Sequence, residues 1–228
     1  MPALIGGLFY SKGKAMTQKV EGTELRFSTK QRGTPSTSIT SITAAKDPVV
    51  TATAHGLKDG DVIEITGASA SSLNQMHTVA VLTENTFALP GLDLSMFSTI
   101  TAGGSFKTVT MSQFCDATSI DLSEYEVNSE NKNTFCRKDK SFNVELGTMS
   151  VGFYAHSDDE QQSYLRDSGK NLEVIMVQFR PKGAKWLRGF LGQVTSANIS
   201  GDVDGDYEGT LEISLLTFSQ DVELDLVP

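Results

Sequence analysis

The sequence predicts a mainly β protein: a sandwich or barrel with one short α-helix, into which a small all-β module is inserted. Three observations carry this. Between Ile39 and Phe106 the chain is a string of short, β-branched runs cut by Gly, Asn and Asp, the pattern of paired antiparallel strands. Only the stretch "HSDDEQQSYLRDSGK" has the ends of a helix. The runs "EVIMVQFR" and "TLEISLLTF" alternate with period two, and nowhere is there a βαβ rhythm or a long repeat.

In chain order, the first 37 residues read as an arm and a first strand. An apolar cluster (Leu4, Ile5, Leu8, Phe9, Tyr10) is followed by the polar "SKGKAMTQKVEG" and then the strand "TELRFSTK". The Ser/Thr-rich "RGTPSTSITSITAAKD" has linker composition and sets a boundary near Pro35. Residues 38–106 form the small module, with strands "PVVTATA", "DVIEITG", "MHTVAVL" and "TENTFAL". Residues 107–228 form the rest of the larger domain.

In that last part, 121–145 reads as a long polar loop, longer than a structureless connection normally runs in a compact domain. The helix should start at Ser157, which with Glu160 has capping-box spacing, and stop at Gly169, burying Tyr164 and Leu165. Asp158 and Asp159 put negative charge at the positive end of its dipole. "EVIMVQFR" is apolar on nearly both faces, as a covered central strand is, and "TLEISLLTF" is more one-sided.

At 228 residues, with 39% hydrophobic and 21% charged side chains, the chain is globular. Nineteen Lys and Arg against 28 Asp and Glu give a net charge of -9, which opposes DNA binding by phosphate neutralisation. No apolar run reaches bilayer length and "MPALIGGLFY" is too short and Gly-broken for a signal core, so no membrane association and a cytosolic site of synthesis are expected. Cys115 and Cys136 are too few for a disulfide scaffold or a cysteine-built zinc site, and read as reduced, part-buried thiols; their spacing leaves pairing open.

The candidate chemical groups all have plainer readings. A catalytic histidine needs an orienting carboxylate and a nucleophile or water, and none of His55, His77 and His156 lies in such a motif, so no enzyme is expected. "HGLKDGD" reads as a hairpin connection in which Gly56 and Gly60 take special backbone angles and Asp59 or Asp61 accepts from nearby amides. In "SGDVDGDYEG", Asp202, Asp204 and Asp206 alternate, but an EF-hand loop from Asp202 would put Gly and Glu where Tyr207 and Ile213 stand; it reads as an acidic turn. "AGGS" lacks the Lys of a phosphate loop, Trp186 reads as a packing or interface anchor, and Arg137, Lys138 and Lys140 as surface that can meet an acidic neighbour. No cofactor or metal is expected.

Two regions carry a family resemblance. "TATAHGL", "GDVIEITG", "LNQMHTVAV", "NTFALPGLD" and "TAGGSF" resemble the small β module of many tailed-phage virion proteins, matching at His55, Gly56, Leu57, Gly60, Asp61, Leu73, Asn74, Thr86, Phe87, Gly103 and Gly104. His77 stands where that pattern has Phe. The flanking segments, from "FCDATSIDLSEYEVNSENKNTFCRKDKSF" to "GFLGQVTSANISGDVDGDYEGTLEISL", are similar in element order to the major tail tube proteins of long non-contractile (lambda-like) phage tails.

The resemblance implies a structural virion protein of a tail-tube-type β-sandwich. Its hexameric rings would stack into a tube around a tape-measure protein, bounded by tail-tip and tail-terminator proteins, and DNA would pass through without specific binding. It places the chain in the virion tail, and in host cytoplasm during assembly, with the module on the outer wall. Subunit contacts are then expected at Leu4, Ile5, Leu8, Phe9, Tyr10, Tyr125, Phe135, Arg137, Lys138 and Lys140. The competing reading is a virion surface or tail-tip module that binds a host receptor or glycan.

Overall fold

The computed structural model describes residues 22–100, 104–133, 138–201, 203 and 205–224. They form β1 (Glu24–Arg32), β2 (Thr37–Ile39), β3 (Ser41–Ile42), β4 (Val49–Thr51), β5 (Val62–Thr66), β6 (Met76–Thr78), β7 (Ala80–Thr83), β8 (Thr86–Ala88), β9 (Gly104–Gln113), β10 (Ala117–Asn133) and β11 (Lys138–Tyr154). After α1 (Glu160–Lys170) come β12 (Val174–Arg180), β13 (Trp186–Ser200), β14 (Glu208–Leu215) and β15 (Gln220–Glu223). Among the described residues the protein is mainly β with one α-helix, and its sheets are antiparallel.

The large sheet runs β10-β11-β14-β13-β12-β1-β9-β5-β6, with β15 added on β13 and β2 on β9; β3-β4-β8-β7 form a second sheet. One core lies under α1, where Leu165 meets Phe27, Val177, Phe190 and Ile213. Full burial of one such side chain contributes about 2 kcal/mol. The second core belongs to residues 39–106, where Val50 and Phe87 of the small sheet close over Ile63, Ile65 and Phe106. A third cluster, Val62, Met76, Val109, Met176 and Leu191, joins the two regions.

The module is therefore not held by a tether alone. Strands β5 and β6 continue the large sheet through β9, so backbone pairing crosses from residues 38–106 into the body. At the closure, Thr78 N–H donates to Gln220 Oε1 (2.7 Å), and Gly189 leaves the space that the Thr78 side chain occupies. As expected from its two apolar faces, β12 sits inside the sheet between β13 and β1.

Three expectations are corrected. The polar stretch 121–145 is not a loop: it is strand on both sides of a long hairpin, β10 and β11, paired from Ala117↔Phe153 to Asn133↔Lys138. The segment His55–Asp61 does not close a hairpin: it carries the chain from β4 in the small sheet to β5 in the large one. Cys115 is exposed, not part-buried, and Cys136 lies outside the described residues.

The helix ends are corrected as well. Ser157 is not the N-cap and Glu160 closes no capping box; Asp159 caps, accepting from Gln162 N–H at 2.7 Å, while Ser157 Oγ bonds Asp158. The choice follows from Gln162, whose buried side chain accepts from His156 N–H and donates to Asp116 and to the Tyr154 carbonyl, drawing the chain into the helix two residues later. Gly169 is inside the helix, where it lets β13 approach: a Cβ there would lie 3.1 Å from Val194 Cγ1. The stop is a Schellman arrangement, with Glu173 N–H on Ser168 O (2.9 Å), Leu172 N–H on Gly169 O (3.3 Å) and Leu172 itself left-handed at φ 55.

Candidate functional site

The β10–β11 hairpin is the feature that the compact cores do not explain. Strand β14 accompanies β11 only from Thr148 to Tyr154. Among the described residues, β11 from Gly147 to Lys138 pairs with β10 alone, so the hairpin projects roughly 30 Å past the described sheet. A two-stranded hairpin is marginal in water without a surface to pack on.

Its side chains change sides at the point of departure. At the base, the pair Leu122↔Met149 faces the core under α1, and the opposite face carries Asp121↔Ser150 and Ser123↔Thr148. Farther out, the core-side face becomes acidic, with Glu126↔Glu145, Asn128↔Asn143 and Glu130↔Ser141. The other face becomes apolar, with Val127↔Val144 and Ser129↔Phe142, and with Tyr125 opposite Leu146, which is itself half-buried against the core cluster. Tyr125, Val127, Phe142 and Val144 are each more than half exposed. Gly147 marks the changeover; a Cβ there would overlap the Ser123 carbonyl.

The direction of departure is held from β13. Arg188 forms an ion pair with Glu124, reaches Asp221 Oδ1 with Nε (3.4 Å), and stacks over Trp186 at 4.7 Å. Trp186 thus packs against Arg188 within the chain, supporting the arginine.

Of the expected contact residues, Tyr125 lies on the apolar face and Lys140 extends over the Phe142 ring at 5.3 Å. Lys138 opens β11 opposite Asn133. Leu4, Ile5, Leu8, Phe9, Tyr10, Phe135 and Arg137 lie outside the described residues, as does Gly103. Val127, Phe142, Val144, Glu124 and Arg188 were missed by sequence reasoning. The period-two signal of the first three was present, but spread across a stretch rich in Ser, Asn and Glu.

The module residues are structural in their contacts. His55 Nδ1 accepts from Leu57 N–H (3.0 Å), which leaves Nε2 as donor to the Thr83 carbonyl (3.0 Å), and its ring meets Phe87 edge-on. Gly56 and Gly60 have φ of 66 and 83. Asp61 accepts from Lys58 N–H (2.9 Å) and Asp59 from Val81 N–H (2.6 Å). Gly104 opens β9 where a Cβ would press on the Thr66 carbonyl. His77 is buried opposite Ile63, with Nε2 on the Leu73 carbonyl (3.1 Å) and no partner for Nδ1 among the described residues; burial lowers its pKa to about 4.

Among the described residues there is no group of three or more His, Cys, Asp or Glu that could hold a metal ion, and no helix long and apolar enough to cross a membrane. His156 meets Asp116 only at 3.9 Å, and that carboxylate also serves Gln162. No protein-family model matches the chain, and no curated protein matches it.

Proposed function

We propose that this chain is a structural assembly subunit, a tail tube protein of a long non-contractile phage tail, whose hexameric rings stack into a hollow tube that DNA crosses during ejection. The observation that supports this reading is the projecting β10–β11 hairpin with one apolar and one acidic face. In the tube, the apolar face rests on a neighbouring copy and the acidic face looks into the water-filled channel. There the opposed Glu126 and Glu145, unfavourable as a cross-strand pair, are hydrated, and their charge keeps DNA from adhering.

Magnitudes favour a closed ring over a dimer. Covering the four exposed apolar side chains contributes on the order of 5 kcal/mol, against an association cost of at least about 4 kcal/mol. One such contact barely holds two copies. A ring gives every copy two contacts, one through its hairpin and one through the surface receiving its neighbour's hairpin.

The test is electron microscopy with sedimentation on the purified chain over a wide concentration range, alone and with tail-tip proteins. Rings and tubes are the expected result; a single globule under all conditions removes the reading. A receptor- or glycan-binding virion module is the second reading, favoured by Met96 and Leu82, which are exposed on the module. It would show no rings, but would show binding to host envelope fractions.

A further inference from the structure

We propose that the open groove between β1, β6 and the end of β14 is a binding site for a short, uncharged oligosaccharide. The groove has a volume of about 810 Å³ and lies at the seam where residues 38–106 join the rest of the large sheet. That size is within the roughly 300–1,000 Å³ of small-ligand sites, which concentrate at such seams. Its base is apolar, made by Met76 and Leu191, two buried members of the cluster that joins the two regions. Val174 and Leu216 line it as well, and each is more than two-fifths exposed.

The rim is charged, yet its charges cancel. Lys30 and Arg32 come from β1, Glu64 from β5 and Glu173 from the residue before β12. They are matched one to one: Arg32 Nε donates to Glu64 Oε2 at 2.5 Å, and Lys30 Nζ lies 3.8 Å from Glu173 Oε1. Further contacts fix the two cations, with Arg32 Nη1 donating to the Thr29 carbonyl (2.6 Å) and Lys30 lying over the Tyr164 ring at 5.5 Å. The polar groups are therefore oriented before any ligand arrives, which lowers the cost of binding one.

Such a rim selects its ligand by charge and by hydrogen bonding. An ionic ligand would have to take a partner from an existing pair and leave the other member uncompensated. A wholly apolar ligand would cover the rim's polar atoms without replacing the water they lose. A neutral sugar avoids both costs. Each hydroxyl can donate to a carboxylate and accept from a guanidinium, an ammonium or the Gln75 amide at the same rim, while the C–H faces of the rings cover the apolar base. The proposal gives the glycan-binding reading a site and stands apart from the tube reading: rings in the microscope neither support nor remove it, and sugar binding alone decides it.

The test is saturation-transfer NMR on the full chain with maltotriose, cellotriose and triacetylchitotriose as uncharged probes, and trigalacturonate as an anionic probe of the same length. We expect transfer to at least one uncharged probe, and at least tenfold weaker binding of that probe by Val174→Arg and by Leu216→Arg. The two substitutions start from exposed positions on different elements, so either one serves if the other fails to fold. No transfer to any uncharged probe overturns the proposal. Binding that a folded variant retains also overturns it, because the sugar then lies elsewhere on the surface. So does trigalacturonate binding tighter than every uncharged probe, which would make the rim an anion site.

Discussion

Arg188 on β13 is ion-paired with Glu124, the residue at which the β10–β11 hairpin leaves the shared sheet. Both side chains are about two-thirds buried, and the arginine also stacks on Trp186 and meets Asp221. Arg188→Ala removes all three contacts and leaves two carboxylates without their cation. We expect a loss of about 2 kcal/mol in urea unfolding, and a double variant with Glu124→Gln that loses less than the sum of the single effects. Full additivity would show that the pair is not coupled.

His77 gives a pH dependence with a definite sign. Burial holds its pKa at about 4, below the ordinary 6.5, so the folded chain disfavours the charged form. Stability from this group is complete above pH 6.5 and falls as pH drops toward 4, by about 3 kcal/mol across that window. In His77→Phe the residue has no charge to gain and no unpartnered Nδ1. The variant should be about 1 kcal/mol more stable at pH 7.5, and its advantage should widen at pH 4.5. Parallel stability curves for the two proteins would contradict this.

Leu172 holds a left-handed backbone at the helix stop, a conformation that costs an L side chain about 1 kcal/mol, and its side chain is exposed. Leu172→Gly should therefore raise the midpoint of urea unfolding by about that amount of stability. A decrease would mean that the exposed leucine makes a contact worth more than the strain.

Gly189→Ala tests how the module is locked to the body. The added methyl would overlap the Thr78 side chain where β6 meets β13. A loss of about 2 kcal/mol is expected, partly restored by Thr78→Ala in the same chain. If the second substitution restores nothing, the close approach is not the cause.

The apolar face of the hairpin is tested by the double variant Phe142→Ser, Val144→Ser. Its monomer should unfold within about 0.5 kcal/mol of wild type, since both side chains are exposed. Losing about 3 kcal/mol of association would raise the concentration needed for assembly roughly a hundredfold, measured by light scattering. Unchanged assembly would show that the apolar stripe is not the contact.

The strands and the lone helix were legible because their signals are local. Alternation in Leu211, Ile213 and Leu215 places those residues in the core, and Gly56 and Gly60 carry their left-handed angles. The hairpin was not legible because Tyr125, Val127, Phe142 and Val144 are diluted by Ser, Asn and Glu, and polar composition outweighs a period-two pattern in reading such a stretch. Arg188 was not legible because its partner Glu124 is 64 residues away in sequence. The helix start failed for a related reason: Ser157 and Asp159 are both good caps, and the choice between them is made by Gln162 through Asp116, on a different part of the chain.

The side-switch at Gly147 makes hairpin length a matter of parity. Deleting a single residue between Leu122 and Tyr125 would turn Tyr125 and Val127 inward and the glutamates outward, whereas removing two would keep each on its own side. Variants that lengthen or shorten the hairpin must therefore add or subtract residues in even numbers on each strand.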